Sequence, residues 1–417
     1  MDMKSEIVKN LDQPKDLEKL YRENKSAFEA AFASVRSSYE SHPIIQAWHE
    51  RLYYDAITEA SKFRSSDIAF VVVSSLIAGA LAKIPGWIGM IEEYYYACNF
   101  SFIAFPFIAG YFIWKNRTPI QRWWPLALLM LIACIYINLL PMDDESDTYV
   151  LACIHLPLFI WTLVGFAFGK CDLRNHDDRI AFLRFNGDLV IMNILLLLSG
   201  GLFTGLTLAL FSLVNINITT FYVQYIVICG LAASPIISTY LVRSNPSLVN
   251  KISPVIAKIF SPLALIALLA YLTLMVATGQ DPYTDRDFLI VFNLLLIAVM
   301  ALVLFASTDS NSRQNNLLGH WVLLLLVATT IIINSIALTA ILFRISEWGI
   351  TPNRLAVLIG NLLVLSNIVL IFINMIGVSK GGREVKDVEF CISKFLPVYT
   401  FWTAVVVFLF PVIFGFK

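Results

Sequence analysis

Long uninterrupted runs of apolar residues constrain this chain more than any other feature of its sequence. Leu189 to Val214 and Leu317 to Phe343 each exceed the roughly 18 to 20 residues that a helix needs to cross about 30 Å of hydrocarbon. Similar runs recur along the chain, and their length is typical of membrane-crossing helices rather than strands. The sequence therefore predicts an all-α fold, a polytopic membrane helix bundle in contact with a lipid bilayer.

Composition agrees with a membrane protein and excludes some partners and cofactors. Only 14% of the residues are charged and 58% are hydrophobic, against roughly 25% charged in soluble domains. The formal net charge of zero gives no reason to expect nucleic acid as a partner. The six cysteines are scattered without CxxC or paired spacing, so we interpret them as small buried side chains. No disulfide, metal or cofactor is predicted.

Residues 1–65 differ in character from residues 66–417. The N-terminal part is polar and charged, and it shows helical periodicity after Pro14 and again after His42-Pro43. The apolar positions of the two runs are Leu17, Leu20, Tyr21, Phe28, Phe32 and Val35, then Ile45, Trp48, Leu52 and Phe63. We therefore predict two amphipathic helices in a cytoplasmic segment, 1–65, followed by a transmembrane domain, 66–417.

About eleven spans are expected in the transmembrane domain. They are residues 67–84, 95–114, 123–141, 148–169, 188–213, 219–242, 259–279, 287–307, 317–343, 354–377 and 394–415. Lys and Arg concentrate in alternate loops, which places the N-terminus in the cytoplasm and the C-terminus outside. The segment 176–185 alternates charged and apolar residues, as a short helix lying on the membrane surface would.

Two small details of the fifth span also give predictions. Asp188 stands at its predicted start, where a carboxylate favours helix N-capping. Gly201 and Gly205 form a small-xxx-small step, which predicts close packing against another helix.

Catalytic signatures are missing from the sequence, whereas polar residues inside spans are patterned. No P-loop, HExxH or GxSxG motif occurs, so an enzyme is disfavoured. In the tenth span, Asn353, Gly360, Asn367 and Asn374 are seven residues apart and fall on one helix face. In the ninth span His320 and Asn334 also share a face, and the two rows are expected to meet. The alternative is that these amides only hold helices together.

The turn between these spans, SEWGITPNR, resembles a helix-ending corner. Gly349 suits a left-handed residue, Thr351 an N-cap and Pro352 the first helical position. Glu347 is expected to pair with Arg344 or Arg354. The candidate binding residues are Asn193, His320, Asn334, Glu347, Asn353, Arg354, Asn361, Asn367 and Asn374, and no catalytic or metal-binding residue is predicted.

The same motif resembles the bacterial inner-membrane family called domain of unknown function 4153, as does the N-terminal LEKLYRENKSAFEAAF. The resemblance implies a multi-pass protein of the bacterial inner membrane and carries no established activity. Two functions are compatible with the sequence. One is transport or channel activity for a small solute or ion through a polar seam between helices. The other is a membrane scaffold or envelope sensor whose residues 1–65 dock a cytoplasmic protein.

Overall fold

The computed structural model describes residues 3–36, 39, 42–62, 65–141, 143, 145–172, 175–213, 216–244, 252–278, 298–304 and 317–417. Within these ranges all regular secondary structure is helical, which confirms the predicted all-α class. The chain divides into two compact units, residues 1–69 and 70–417.

The N-terminal unit has more helices than its periodicity predicts. They are α1 (Met3–Lys9), α2 (Pro14–Glu23), α3 (Lys25–Arg36) and α4 (Pro43–Lys62). The prediction of two helices is wrong because Asn24 adopts an extended conformation, with φ of −154°, and separates α2 from α3. Pro14 occupies the first turn of α2, where its missing N–H costs no helical hydrogen bond.

The predicted apolar stripes of this unit do form a common core. The core consists of Ile7, Leu11, Leu17, Phe28, Phe32, Val35, Ile45 and Trp48. Phe63, which was also predicted to join it, lies outside the described residues. On the surface of the same unit, Glu18 accepts hydrogen bonds from Arg22 Nε at 2.8 Å and Arg51 Nη2 at 3.0 Å.

In the described part of the chain, ten helices are long and apolar enough to cross a membrane. They are α5 (Ser65–Ile88), α6 (Glu92–Lys115), α7 (Ile120–Leu139), α8 (Asp147–Phe168), α9 (His176–Leu213), α10 (Thr219–Ser244), α11 (Ile252–Thr278), α12 (Leu317–Trp348), α13 (Pro352–Ser379) and α14 (Val385–Ile413). Each matches one predicted span. The remaining prediction, 287–307, lies largely outside the described residues, and only its helical part 298–304 is seen.

Helix α9 corrects the predictions made for the fifth span. Its 38 residues form one helix about 57 Å long, so 176–185 is the first part of this helix rather than a separate surface helix. Asp188 is therefore a buried residue of the helix interior and does not cap an N-terminus. Gly201 and Gly205 have no neighbouring atom within 4 Å of an added Cβ, so the predicted close packing is also wrong.

Prolines inside the spans leave backbone carbonyls without a helical partner, and neighbouring side chains satisfy several of them. Pro85 has no N–H to donate to Leu81 four residues earlier, and the Tyr95 hydroxyl donates to that carbonyl oxygen at 2.7 Å. Pro397 likewise frees the carbonyl of Ser393, which accepts a 3.4 Å hydrogen bond from Arg179 Nη1. These contacts tie α5 to α6 and α9 to α14.

Helices α6 and α8 supply most of the larger core of the membrane unit, and α5, α7, α9, α10 and α14 add residues to it. Helices α12, α13 and α14 lie side by side. In α8, Ala152, Leu156 and Ile160 are fully buried. Because α13 packs against α12 on one side and α14 on the other, polar residues on different faces of α13 contact different helices.

Candidate functional site of buried amides along α13

The predicted row on α13 faces α14. A Cβ added to Gly360 would lie 3.9 Å from Trp402 Nε1, and Asn367 Nδ2 donates to the Tyr399 hydroxyl at 3.0 Å. Two helical turns further along α13, Asn374 Nδ2 contacts Cys391 Sγ at 2.8 Å. The contacts advance along α13 as they go back along α14, so the row runs the length of an antiparallel helix pair.

The row on α12 meets α13 at other residues. Asn334 Nδ2 donates to the backbone carbonyl of Asn361 at 3.3 Å, and His320 Nε2 lies 2.6 Å from Ser379 Oγ. The two rows therefore do not meet, because they contact different faces of α13. Asn361 follows Gly360 by one residue, which rotates it about 100° around the helix and toward α12 instead of α14.

Four asparagines form what we call the buried amides: Asn334, Asn361, Asn367 and Asn374. Their exposed fractions are 0%, 2%, 0% and 8%. Within the part of the chain that the structure describes, Asn334 Oδ1, Asn361 Nδ2 and Asn367 Oδ1 make no hydrogen bond. A buried amide atom without a partner costs about 1–3 kcal/mol, so each is a place where water or a solute would bind favourably.

The fourth amide, Asn374, is fully hydrogen-bonded and lies beside a charged group. Its Nδ2 donates to the carbonyl of Leu370 as well as to Cys391, and its Oδ1 accepts from Arg383 Nη1. Arg383 reaches Asn374 because its stem lies over Gly377, where an added Cβ would come within 2.6 Å of Arg383 Cδ. Arg383 itself belongs to the exposed turn between α13 and α14.

At the opposite end of α13, SEWGITPNR forms the predicted corner. Gly349 has a φ of +80°, and Thr351 caps α13 by accepting from Arg354 N at 3.3 Å, with Pro352 in the first turn. Arg354 Nη1 donates to the carbonyls of Trp348 and Gly349, both at 2.8 Å.

One prediction for this corner fails. Among the ion pairs of the described residues, none joins Glu347 to Arg344 or Arg354. The guanidinium of Arg354 instead donates to backbone carbonyls at the end of α12. Asn353 is half-buried in the first turn of α13, and no described hydrogen bond connects its side chain to the buried amides.

Asn193 lies in another part of the molecule. Its Oδ1 accepts from Ser238 Oγ at 3.2 Å, which links α9 to α10. Among the residues that the structure describes, no group of three His, Cys, Asp or Glu side chains is arranged to hold a metal ion.

Sequence reasoning missed Tyr399, Cys391 and Arg383, which complete the site on the side of α14. Tyr399 and Cys391 resemble ordinary span residues, and Arg383 resembles an ordinary loop cation. The pair of glycines before it, Gly381 and Gly382, was the available signal, since Gly381 has a φ of +73° and turns the chain back over Gly377.

The same end of α14 carries a second polar contact, with the start of α9. Arg184 Nη2 pairs with Glu389 Oε1 at 2.7 Å, and His176 Nδ1 lies 3.2 Å from Ser393 Oγ. The first three turns of α9 therefore hold α14 near the turn that carries Arg383.

The all-α fold and the ten apolar helices of the described residues define the chain as a polytopic α-helical membrane protein. Comparison with known proteins does not narrow this class, because no protein-family model, curated protein or solved structure matches the chain.

Proposed function

We propose that the membrane unit lets a small polar solute or ion cross the bilayer along α13, whose buried amides face α12 on one side and α14 on the other. The observation that carries the proposal is the set of unused hydrogen-bonding atoms on Asn334, Asn361 and Asn367. Buried polar atoms are nearly always paired, and in hydrocarbon an unpaired one is more costly than in a soluble core. A passing solute that has lost its water can use these atoms.

The unused atoms are of both kinds, which suits a solute that accepts and donates hydrogen bonds. Asn334 Oδ1 and Asn367 Oδ1 are acceptors, and Asn361 Nδ2 is a donor. Neutral amides bind weakly enough for release, as passage through a membrane requires.

Flux into proteoliposomes tests the proposal. Stopped-flow light scattering would follow the entry of small neutral solutes and of salts into vesicles that contain the full chain. We expect Asn367→Leu to lower the permeation rate about tenfold, the equivalent of one lost hydrogen bond of about 1.4 kcal/mol. Asn193→Leu removes an amide of another helix pair and serves as the control. Wild-type vesicles as tight as empty ones toward every solute would contradict the proposal.

We further propose that the chain lies in a bacterial inner membrane with its N-terminus in the cytoplasm. The support is the excess of Lys and Arg in alternate loops, including the turn that contains Lys380 and Arg383. A reporter enzyme that is active only outside the cytoplasm should be active when fused after Gly349 and inactive when fused after Lys380. The reverse pattern would overturn the orientation.

A scaffold or sensor function is the second candidate, and the separate core of the N-terminal unit favours it. Residues 1–69 form a compact unit with buried aromatic residues of their own, including Phe28, Phe32 and Trp48. Such a unit can bind a cytoplasmic protein partner. Deleting residues 1–60 should then remove the co-purifying protein while solute flux persists, whereas unchanged co-purification would exclude this function.

A further inference from the structure

We propose that Arg383 makes the α13–α14 end of the buried amides an anion-binding entrance, so that the transported solute is a small oxyanion that keeps a proton to donate, such as hydrogen phosphate. The inference rests on the proposed function and specifies its substrate class. It starts from the contact between Arg383 Nη1 and Asn374 Oδ1.

The position of Arg383 depends on two local features. Gly377 leaves room for its aliphatic stem, because an added Cβ would meet Arg383 Cβ, Cγ and Cδ at 3.3, 2.9 and 2.6 Å. The turn at Gly381 directs the chain back over α13. The guanidinium is thus placed at the last amide of the row instead of extending freely from the loop.

Arg383 keeps donors available for a ligand. A guanidinium has five N–H donors in a planar fork, and the contact with Asn374 uses one of the Nη1 donors. The fork matches the two oxygens of a carboxylate or phosphate group. The exposure of the turn leaves this group open to solutes from the water phase.

The neighbouring carboxylates are engaged in other contacts. Glu384 and Asp387 form a capping box with the backbone at the start of α14. Glu389 pairs with Arg184. Among the described contacts of the buried amides, Arg383 is the charged partner.

Beyond Arg383, the row offers donors to an anion. Cys391 and Tyr399 follow on α14, and the Tyr399 hydroxyl, which accepts from Asn367, retains its own proton to donate. An oxyanion can therefore exchange water for side-chain donors as it moves away from the entrance.

Cys391 provides a native probe of this entrance because its thiol touches Asn374 and is half-buried. The full chain, in nanodiscs of phosphatidylcholine, would react with methanethiosulfonate reagents that carry either a sulfonate or a trimethylammonium group. Mass spectrometry of the peptide containing Cys391 would give both rates. Since both reagents attack the same thiolate, their ratio cancels any change in thiolate fraction and reports the local potential.

We expect Arg383→Gln to lower the ratio of the anionic to the cationic rate about tenfold. This factor is the low end of the range by which a charged cleft raises the local concentration of oppositely charged solutes. Arg383→Lys should keep a ratio close to wild type. Lys380→Gln removes a charge from the same turn without touching Asn374 and is the matched control, for which little change is expected.

An equal ratio in wild type and Arg383→Gln would overturn the inference, and so would a failure of both reagents to reach Cys391. The outcome is separable from that of the flux measurement. Flux with an unchanged reagent ratio would leave the transport proposal standing without an anion entrance. Anion-selective modification without flux would support an anion-binding site and contradict the transport proposal.

Discussion

Two groups of asparagines inside this bundle differ in how completely they are hydrogen-bonded. Asn99 of α6 and Asn138 of α7 form a reciprocal amide pair, with Nδ2 to Oδ1 distances of 3.0 and 2.9 Å, and each also donates to a carbonyl four residues earlier. On α12 and α13, Asn334, Asn361 and Asn367 each leave one atom unused.

The difference teaches that the role of an asparagine in a span depends on how many of its hydrogen-bonding atoms remain unused. A completed pair contributes about 0.6–2 kcal/mol to helix association and has nothing left to offer a solute. An incomplete amide adds little to packing, since its unused atom is desolvated without compensation. The first arrangement is suited to holding helices together, and the second to binding.

The largest expected effect contrasts two glycines, Gly165 in the core of the membrane unit and Gly377 beside the buried amides. In α8, a Cβ on Gly165 would lie 2.7 Å from the ring of the fully buried Phe182, whereas a Cβ on Gly377 would meet only the flexible stem of Arg383. Gly165→Ala should lower the free energy of unfolding by about 1–3 kcal/mol through overpacking. Gly377→Ala should change it by less than about 1 kcal/mol, because Arg383 can move and alanine favours the helix.

Unfolding by denaturing detergent in mixed micelles would measure both variants. Gly377→Ala should in addition lower the anionic reagent ratio at Cys391, because Arg383 is displaced. A larger stability loss for Gly377→Ala than for Gly165→Ala would contradict the contrast between a rigid and an adaptable region.

A smaller effect should separate the two kinds of amide. Asn99→Leu leaves Asn138 without its reciprocal partner and should cost about 0.6–2 kcal/mol. Asn367→Leu loses the hydrogen bond to Tyr399 but also removes an unsatisfied oxygen. Its net effect on the free energy of unfolding should therefore stay below about 0.5 kcal/mol. The same unfolding measurement checks both, and equal losses would show that Asn367 is a structural amide after all.

The smallest effect is expected in the N-terminal unit, at Glu18. Hydrogen bonds from the Arg51 and Arg22 guanidinium groups lower the pKa of the Glu18 carboxyl from its usual 4.5. The contribution of Glu18 to stability is therefore present above pH 4.5 and is lost as the pH falls through the lowered value. It is small because the groups lie near the surface and water screens them.

Hydrogen exchange in the full chain would detect this loss as weaker protection of α2 on acidification. Glu18→Gln should abolish the Glu18-dependent part of the change, and its protection at neutral pH should match that of the acidified wild type. An identical pH response in the two proteins would exclude the effect.

Most of the fold could be predicted because the length of an apolar run determines whether it spans the membrane, largely independently of tertiary contacts. The errors arose where tertiary contacts decide. Asn24 breaks a periodic pattern by leaving the helical conformation, and α9 continues through 176–185 because Arg179 and Arg184 bind α14. A surface helix and the first turns of a long helix carry the same alternation of charge and apolar residues.

The site could be predicted as a face of one helix but not as a set of contacts. The seven-residue spacing placed Gly360, Asn367 and Asn374 together correctly, yet spacing does not say which neighbouring helix the face meets. The answer depends on the rotation of α13, and Asn361, a single residue out of register with the row, is the amide that meets α12.

The hydrogen bond between Tyr95 and the carbonyl left open by Pro85 makes these two residues depend on each other unequally. A carbonyl oxygen has two lone pairs, so Tyr95 can donate to Leu81 while a helical N–H from residue 85 does the same. A proline arriving at 85 first would strand that oxygen in hydrocarbon at a cost of several kcal/mol. A proline is therefore tolerated at residue 85 only while Tyr95 supplies the donor, whereas Tyr95 does not depend on the proline.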